Sequence, residues 1–358
     1  MIGIRKIRAM RNFKMAALLL LIAFSISLSG CSFIFNSKNS GVSPPPSSQD
    51  VENSTSNTSA TLLEEKYYSP YTGEEISNKE DLVPFMAIIE NSKLARPQSG
   101  LNAADIIFET MAEGGIPRFI ALFYSKTAEV IGPIRSARPY FLDLALTYDL
   151  PFAHCGGSAE ALEAISNGSG NSLNEFKYGK YFYRDSGRKA PHNLYTSSEK
   201  IQELVKEKNY ITTPQGTLSF QKDYWVKDTL PKALEVTLVP NKNYNTSYSY
   251  KDGVYYKSMN EEVSTDRESQ EVLTASNIVI QLTDIETRED SRVNIRLTGE
   301  GEGFLISQGK YEKIRWKYND DPKGTVLYNE KGEKAMLSPG KTWWHISSKK
   351  DKIIINGD

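Results

Sequence analysis

Arginine is the residue type whose placement in this sequence suggests chemistry. Arg135 and Arg138 lie between Gly132-Pro133 and Pro139, just ahead of Pro139 to Tyr148, which reads as a helix with proline at its first position. Proline fixes its own φ and biases the preceding residue away from helical geometry, so this helix should begin after Arg138. Unpaired amides and the positive end of the helix dipole favour an anion at such a start. A guanidinium fork suits carboxylate or phosphate through two parallel bonds. Arg118, which follows Gly114-Gly115, and Arg188, which precedes His192-Asn193, join them as candidate ligand-binding residues together with His192 and Asn193. The competing reading pairs the same arginines with Glu109, Glu113, Asp105 or Asp143 as structural ion pairs, and both readings stay open at this point.

The other reactive groups are sparser. Phe152 to Cys155 followed by Gly156-Gly157-Ser158 is a strand, a glycine loop and a helix start. Amides in such a loop can cradle an anion, or the glycines can simply make a tight turn. Glu109 and Glu113 are the obvious carboxylate pair and belong among the ligand-binding candidates. On an extended strand they would stand about 13 Å apart, too far for the paired carboxyls of a glycosidase. His154 and Cys155 are adjacent, so on a strand they point to opposite faces. Three scattered histidines, His154, His192 and His345, show no metal-ligand spacing, and no motif calls for a cofactor. Trp316, Trp343 and Trp344 sit in strand-like sequence and read as core or sheet-edge residues, with an exposed Trp343 or Trp344 pointing instead to a glycan or protein contact.

Two types of segment must position these groups. Residues 67–230 mix strand and helix signals: a buried strand near 84–89, a hairpin through Gly114-Gly115-Ile116-Pro117, and the Pro139 helix. An Ala-rich helix capped by Ser158 follows, and a further helix spans Ser198 to Lys208. Residues 231–358 carry short alternating runs, as at Leu234 to Val239 and Ile314 to Tyr318, with turn signals at Asp252-Gly253 and Lys331-Gly332. That predicts an α/β, mixed α+β, N-terminal domain and a mainly antiparallel β domain with their boundary near residue 230.

The first thirty residues read as an export signal: Arg5, Lys6, Arg8, Arg11 and Lys14, an apolar run from Met15 to Leu28, then Leu28-Ser29-Gly30-Cys31. The run is shorter than the ~20 residues of a membrane span. Leu-Ser-Gly-Cys also resembles the bacterial lipobox, which implies cleavage before Cys31 and lipid on its thiol. Two acyl chains there would hold the protein on the extracytoplasmic face of the membrane. Residues 31–66 form a Ser, Thr, Asn and Pro tether that buries too little apolar surface to fold. Losing the leader leaves 38 basic against 44 acidic residues, an acidic chain that argues against broad nucleic-acid binding. Cys155 becomes the sole free thiol, so no internal disulfide can form.

Longer motifs carry a family resemblance. Ala95-Arg96-Pro97-Gln98-Ser99-Gly100-Leu101, Ala104 to Glu109, Glu113 to Ile116 with Arg118-Phe119, and Ile131 to Arg138 stand in the first half, with Ala190-Pro191-His192-Asn193. Pro339-Gly340-Lys341-Thr342-Trp343 stands in the second. With these the chain resembles the YerB-like lipoproteins, a two-part domain of unknown function, over nearly everything after the tether. Glu90-Asn91 departs from the Asp-Asn expected there. The resemblance implies the export route and two-part layout and brings no activity. The reading that follows is a membrane-tethered, non-catalytic binding or scaffold protein of the cell envelope, with cell-wall synthesis proteins as the partner class suggested by location. The alternative is an enzyme or receptor for an anionic envelope molecule, a phosphorylated glycan or lipid-linked precursor, held by the arginine loops.

Overall fold

Five consecutive apolar residues, Phe85–Ile89 (β1), are all buried, as a strand covered on both faces requires. The computed structural model describes residues 66–76, 82–227 and 229–357. The export signal, Cys31 and the tether up to residue 65 lie outside the described residues. Strands Ile106–Met111 (β2) and Pro117–Phe123 (β3) form the expected hairpin, with Met111 opposite Pro117. Gly114 and Gly115 make its turn at φ 66° and 71°, backbone that glycine adopts without steric cost. Helix Pro139–Tyr148 (α1) starts directly after Arg138, which is extended, and ends at Asp149. Strand Phe152–His154 (β4) leads to helix Ala159–Ser166 (α2), where Ser158 Oγ accepts the Ala161 amide. Strand Ser172–Asn174 (β5) and helix Ser198–Glu207 (α3) complete this half.

The second half is largely antiparallel strand. Glu235–Asn241 (β6), Tyr244–Lys251 (β7) and Val254–Met259 (β8) make a meander. Asn277–Thr283 (β9), Glu300–Ser307 (β10), Lys310–Asp320 (β11) and Lys323–Asn329 (β12) form a second run of neighbours. Thr342–Ser348 (β13) and Lys352–Asn356 (β14) end the chain. β14 returns to pair with β6 and widens the small sheet.

The pattern change near residue 230 does not interrupt the main sheet. Its ten strands run β12-β11-β10-β9-β13-β2-β3-β1-β4-β5. The late strand β13 lies parallel between β9 and β2, with Thr342 opposite Ile106 on one side and Asn277 on the other. Residues Leu63–Asp358 accordingly form one compact unit.

Alternation along each strand sends side chains to two cores. On one face Met86, Ile88, Phe108 and Trp344 pack with α1. On the other, Ala87, Ile107 and Trp343 pack with Ile201, Leu204 and Val205 of α3 and with Val236, Tyr248 and Tyr255 of the small sheet. Trp316, Trp343 and Trp344 are at most 1 % exposed, so they are core residues and none offers the surface contact that an exposed Trp343 or Trp344 would have made.

Candidate functional site

Glu113 stands in the hairpin turn, and two of the candidate arginines converge on it. Arg138 donates through Nε to Glu113 Oε1, and Arg118 Nη2 lies 3.4 Å from Oε2. Each arginine also donates to backbone: Arg118 to Ser136 O at 3.1 Å and Arg138 to Ala137 O at 2.7 Å. Burial pushes the Glu113 carboxyl up, but the Arg138 bond and the charges of Arg138 and Arg118 outweigh it and hold it below its ordinary value. Burial, followed by repulsion from Arg138, brings Arg118 down to about 10. These two arginines are therefore in the ion-pair arrangement that was the rival to an anion site.

Arg135 has a different partner. Its Nε lies 3.3 Å from Oε2 of Glu90, a buried carboxylate at the end of β1. Glu90 Oε1 accepts from Ser92 Oγ at 2.6 Å and faces His192 Nδ1 at 2.9 Å. Neither of these pairings was among those read from the sequence, whose carboxylate partners were Glu109, Glu113, Asp105 and Asp143. Arg188 donates to the carbonyls of Ala95 and Pro97, each at 2.6 Å. Asn193 Oδ1 accepts from Arg184 at 3.0 Å, and its amide donates to Asp185 O at 3.3 Å. Arg188 and His192 thus fasten their segment onto the 90–97 loop. Arg135 and Arg138 share no acceptor.

The glycine loop is a tight turn, and two of its amides are occupied. Gly156 N donates to Asn174 Oδ1 at 3.0 Å and Ser158 N to Ala137 O at 3.1 Å. A Cβ on Gly157 would stand 3.1 Å from Leu162, so close packing explains that glycine. His154 is fully buried between Gly156 O and Ser172 Oγ, and burial lowers it to about 4. Burial and Glu175 push the Cys155 thiol up to about 11, the opposite of what a thiolate nucleophile needs.

Glu109 belongs to a separate, deeper cluster between the two sheets. Its Oε2 lies 3.3 Å from Lys257 Nζ and 3.8 Å from His345 Nδ1, and Oε1 accepts from Thr246 at 3.2 Å. Tyr248 OH meets His345 Nε2 at 2.8 Å, and the Lys257 ammonium stands 4.7 Å from the Trp343 ring. Burial pushes Glu109 up, yet Lys257, His345 and the bonds from Lys257 and Thr246 hold it below its ordinary value. Burial lowers Lys257, with Glu109 opposing, and lowers His345 to about 4. Sequence reading missed Lys257. The available signal was its phase: on β8 it shares the inward face with Tyr255 and Met259.

Arg288 and Arg292 were also missed. They sit in the hairpin of strands Ile285–Thr287 and Val293–Ile295, and both reach Glu160 at the start of α2, at 2.6 and 3.5 Å. With Glu113, Arg138 and Tyr140 they line a cavity of about 320 Å³. A second cavity of about 570 Å³ is lined by Lys341, whose Nζ donates to Leu101 O at 3.0 Å and Asn102 O at 2.8 Å. Burial and the Lys126 charge lower Lys341 to about 8. Among the described residues, no group of three or more His, Cys, Asp or Glu side chains could hold a metal ion.

Comparison with known proteins matches the same two halves to two family models. Residues 71–211 match the N-terminal domain of a protein of unknown function, DUF3048, and residues 234–344 match its C-terminal domain. A relative named "Putative lipoprotein YerB" from Bacillus subtilis is 32% identical over 302 residues, 81% of this chain and 89% of the relative. The crystal structure of YerB protein from Bacillus subtilis superposes with a TM-score of 0.73 at 31% identity, covering 81% of this chain and 100% of that one.

Proposed function

We propose a function from one premise: the chain belongs to the DUF3048 family of two-part proteins. It is a lipoprotein held by Cys31 on the extracytoplasmic face of the cell membrane, where it binds or scaffolds other envelope molecules and performs no catalysis of its own. The basic leader, short apolar run and Leu28-Ser29-Gly30-Cys31 support the anchor, as does the relative's name. Support for a non-catalytic role comes from one observation above all. Arg118, Arg138 and Arg188 are committed to internal acceptors, Glu113 and the carbonyls of Ala95 and Pro97, and Arg135 stands 3.3 Å from the buried Glu90 carboxylate as an ion pair. Arginines bound in this way set loop geometry and do not form one open anion cleft. Cell-wall synthesis proteins are the partner class that this location favours.

The anchor is tested by Cys31→Ala. Cells fed labelled fatty acid should acylate the wild-type chain, while the variant should accumulate as unprocessed or soluble protein without label. Normal maturation of an acylated Cys31→Ala chain would remove the anchor. Crosslinking in living cells followed by mass spectrometry should then recover envelope proteins with the wild type and lose them with the variant.

A further inference from the structure

We infer that the cavity between the α1 and α2 starts and the 285–295 hairpin binds a neutral, hydroxyl-rich ligand, a glycan segment. The inference deepens the binding-protein reading by naming a ligand class. At about 320 Å³ the cavity falls within the size of small-molecule sites, which begin near ~300 Å³. Its walls come from both halves of the chain: Glu113, Arg138, Tyr140 and Glu160 from one, Arg288 and Arg292 from the other.

Tyr140 marks the cavity as more than a surface gap. The side chain is 4 % exposed, yet its hydroxyl has no hydrogen-bond partner. It lines the cavity together with Glu113 and Arg138. A buried hydroxyl without a partner loses the bonds it would make in water. A ligand that reaches it restores them.

Charge balance selects the ligand. Three guanidinium groups, of Arg138, Arg288 and Arg292, line the cavity beside three carboxyls, of Glu113, Asp143 and Glu160. Each of these arginines already holds a carboxylate: Arg138 holds Glu113, and Arg288 and Arg292 hold Glu160. A phosphate that took the remaining guanidinium N–H groups would lie beside these carboxylates, whose charge repels it. A cation would meet the same obstacle from the guanidinium groups. A hydroxyl meets neither, because it donates to a carboxylate and accepts from an arginine N–H at once. The pairs leave such capacity free: a guanidinium carries five N–H donors and a carboxylate about four acceptor sites. A row of ring hydroxyls can therefore bridge the existing ion pairs without breaking them, and Tyr140 OH adds a group that both donates and accepts.

The test titrates the full chain in detergent with N-acetylglucosamine tetramer and cellotetraose, and separately with inorganic phosphate and diphosphate. Binding is read by calorimetry, with thermal melts beside it. The expected result is saturable binding of at least one neutral tetramer that phosphate and diphosphate do not displace. Tyr140→Phe removes only the unpartnered oxygen, so it should keep the melting temperature and weaken the tetramer by roughly three- to tenfold, one hydrogen bond's share. Arg292→Gln, at the exposed rim, should weaken it as well. Absence of binding by both tetramers overturns the inference. So does tetramer binding that neither variant changes, or displacement of the tetramer by diphosphate. A failed Cys31 labelling experiment would leave this result untouched, since the titration does not depend on the lipid.

Discussion

Lys257 stands 1 % exposed against Glu109, with His345 and Tyr248 completing the cluster. Two opposite charges in a dry site are worth little net compared with apolar packing, but breaking the pair leaves one charge stranded. Lys257→Met should therefore cost about 3–5 kcal/mol, while Lys257→Met with Glu109→Gln should recover most of it. Equal losses in the single and double variants, measured by denaturant melts, would show that the pair is uncoupled. The same cluster sets an acid limit. His345 and the core residue His154 are both held down to about 4 against an ordinary 6.5. Below pH 6.5 the unfolded chain takes up these protons and the folded chain does not, so stability falls from about pH 6.5 to about pH 4. The loss reaches roughly 3 kcal/mol per histidine. Glu109, held low in the fold, adds a loss of the same sign once the pH falls below its unfolded value. A melting temperature that stays flat from pH 7 to pH 4 would contradict this, and His345→Gln should remove part of the slope.

At the scale of elements, the features legible in the sequence are those whose signals are local. Pro139 announces the start of α1, Gly114-Gly115 the hairpin turn and Ser158 the cap of α2, and each does that work in the fold. Ser158→Ala should cost about 1 kcal/mol, the usual worth of such a cap, and lower the melting temperature by a few degrees. No change in a thermal scan would mean that the Ser158 N–H to Ala137 O bond alone fixes the loop. Partners distant in sequence were legible only as alternatives. The Arg138 loop satisfies every local rule for an anion site, and Glu113, 25 residues upstream, was one of four carboxylates offered as the rival partner, with no local signal to single it out. Glu90 was not among the four and meets His192 from 102 residues away. Lys257 was hidden for another reason: lysine is usually exposed, and only its period-2 phase with Tyr255 and Met259 contradicts that expectation.

At the scale of the whole molecule, alternation tells which segments are strands and which face each buries, but not which strand lies beside which. The composition shift near residue 230 is therefore a poor guide to how the halves are joined. β13 carries residues 342–348 into the middle of the main sheet, pairing with β2 from the first half and β9 from the second. Thr342 N also donates to Asp105 O at 3.0 Å. The connecting segment is docked as well: Trp225 is buried and donates through Nε1 to Met336 O at 2.8 Å. Just beyond it, Val226 is 71% exposed and Lys227 is also exposed, the kind of backbone that proteases reach first within a folded unit. We propose that a nick at Val226-Lys227 separates two covalent pieces that stay together. Limited digestion should yield two fragments of unequal size on a denaturing gel but a single peak, at the mass of the uncut chain, on a sizing column. An expressed fragment ending at 230 should behave differently. Without β13 it exposes the unpaired edge of β2 together with the apolar faces of Ile107 and Phe108, and edges of that kind drive aggregation. Fragments that separate on the column, or a soluble and cooperatively melting piece ending at 230, would mean that the first half folds alone and that β13 adds to a finished domain.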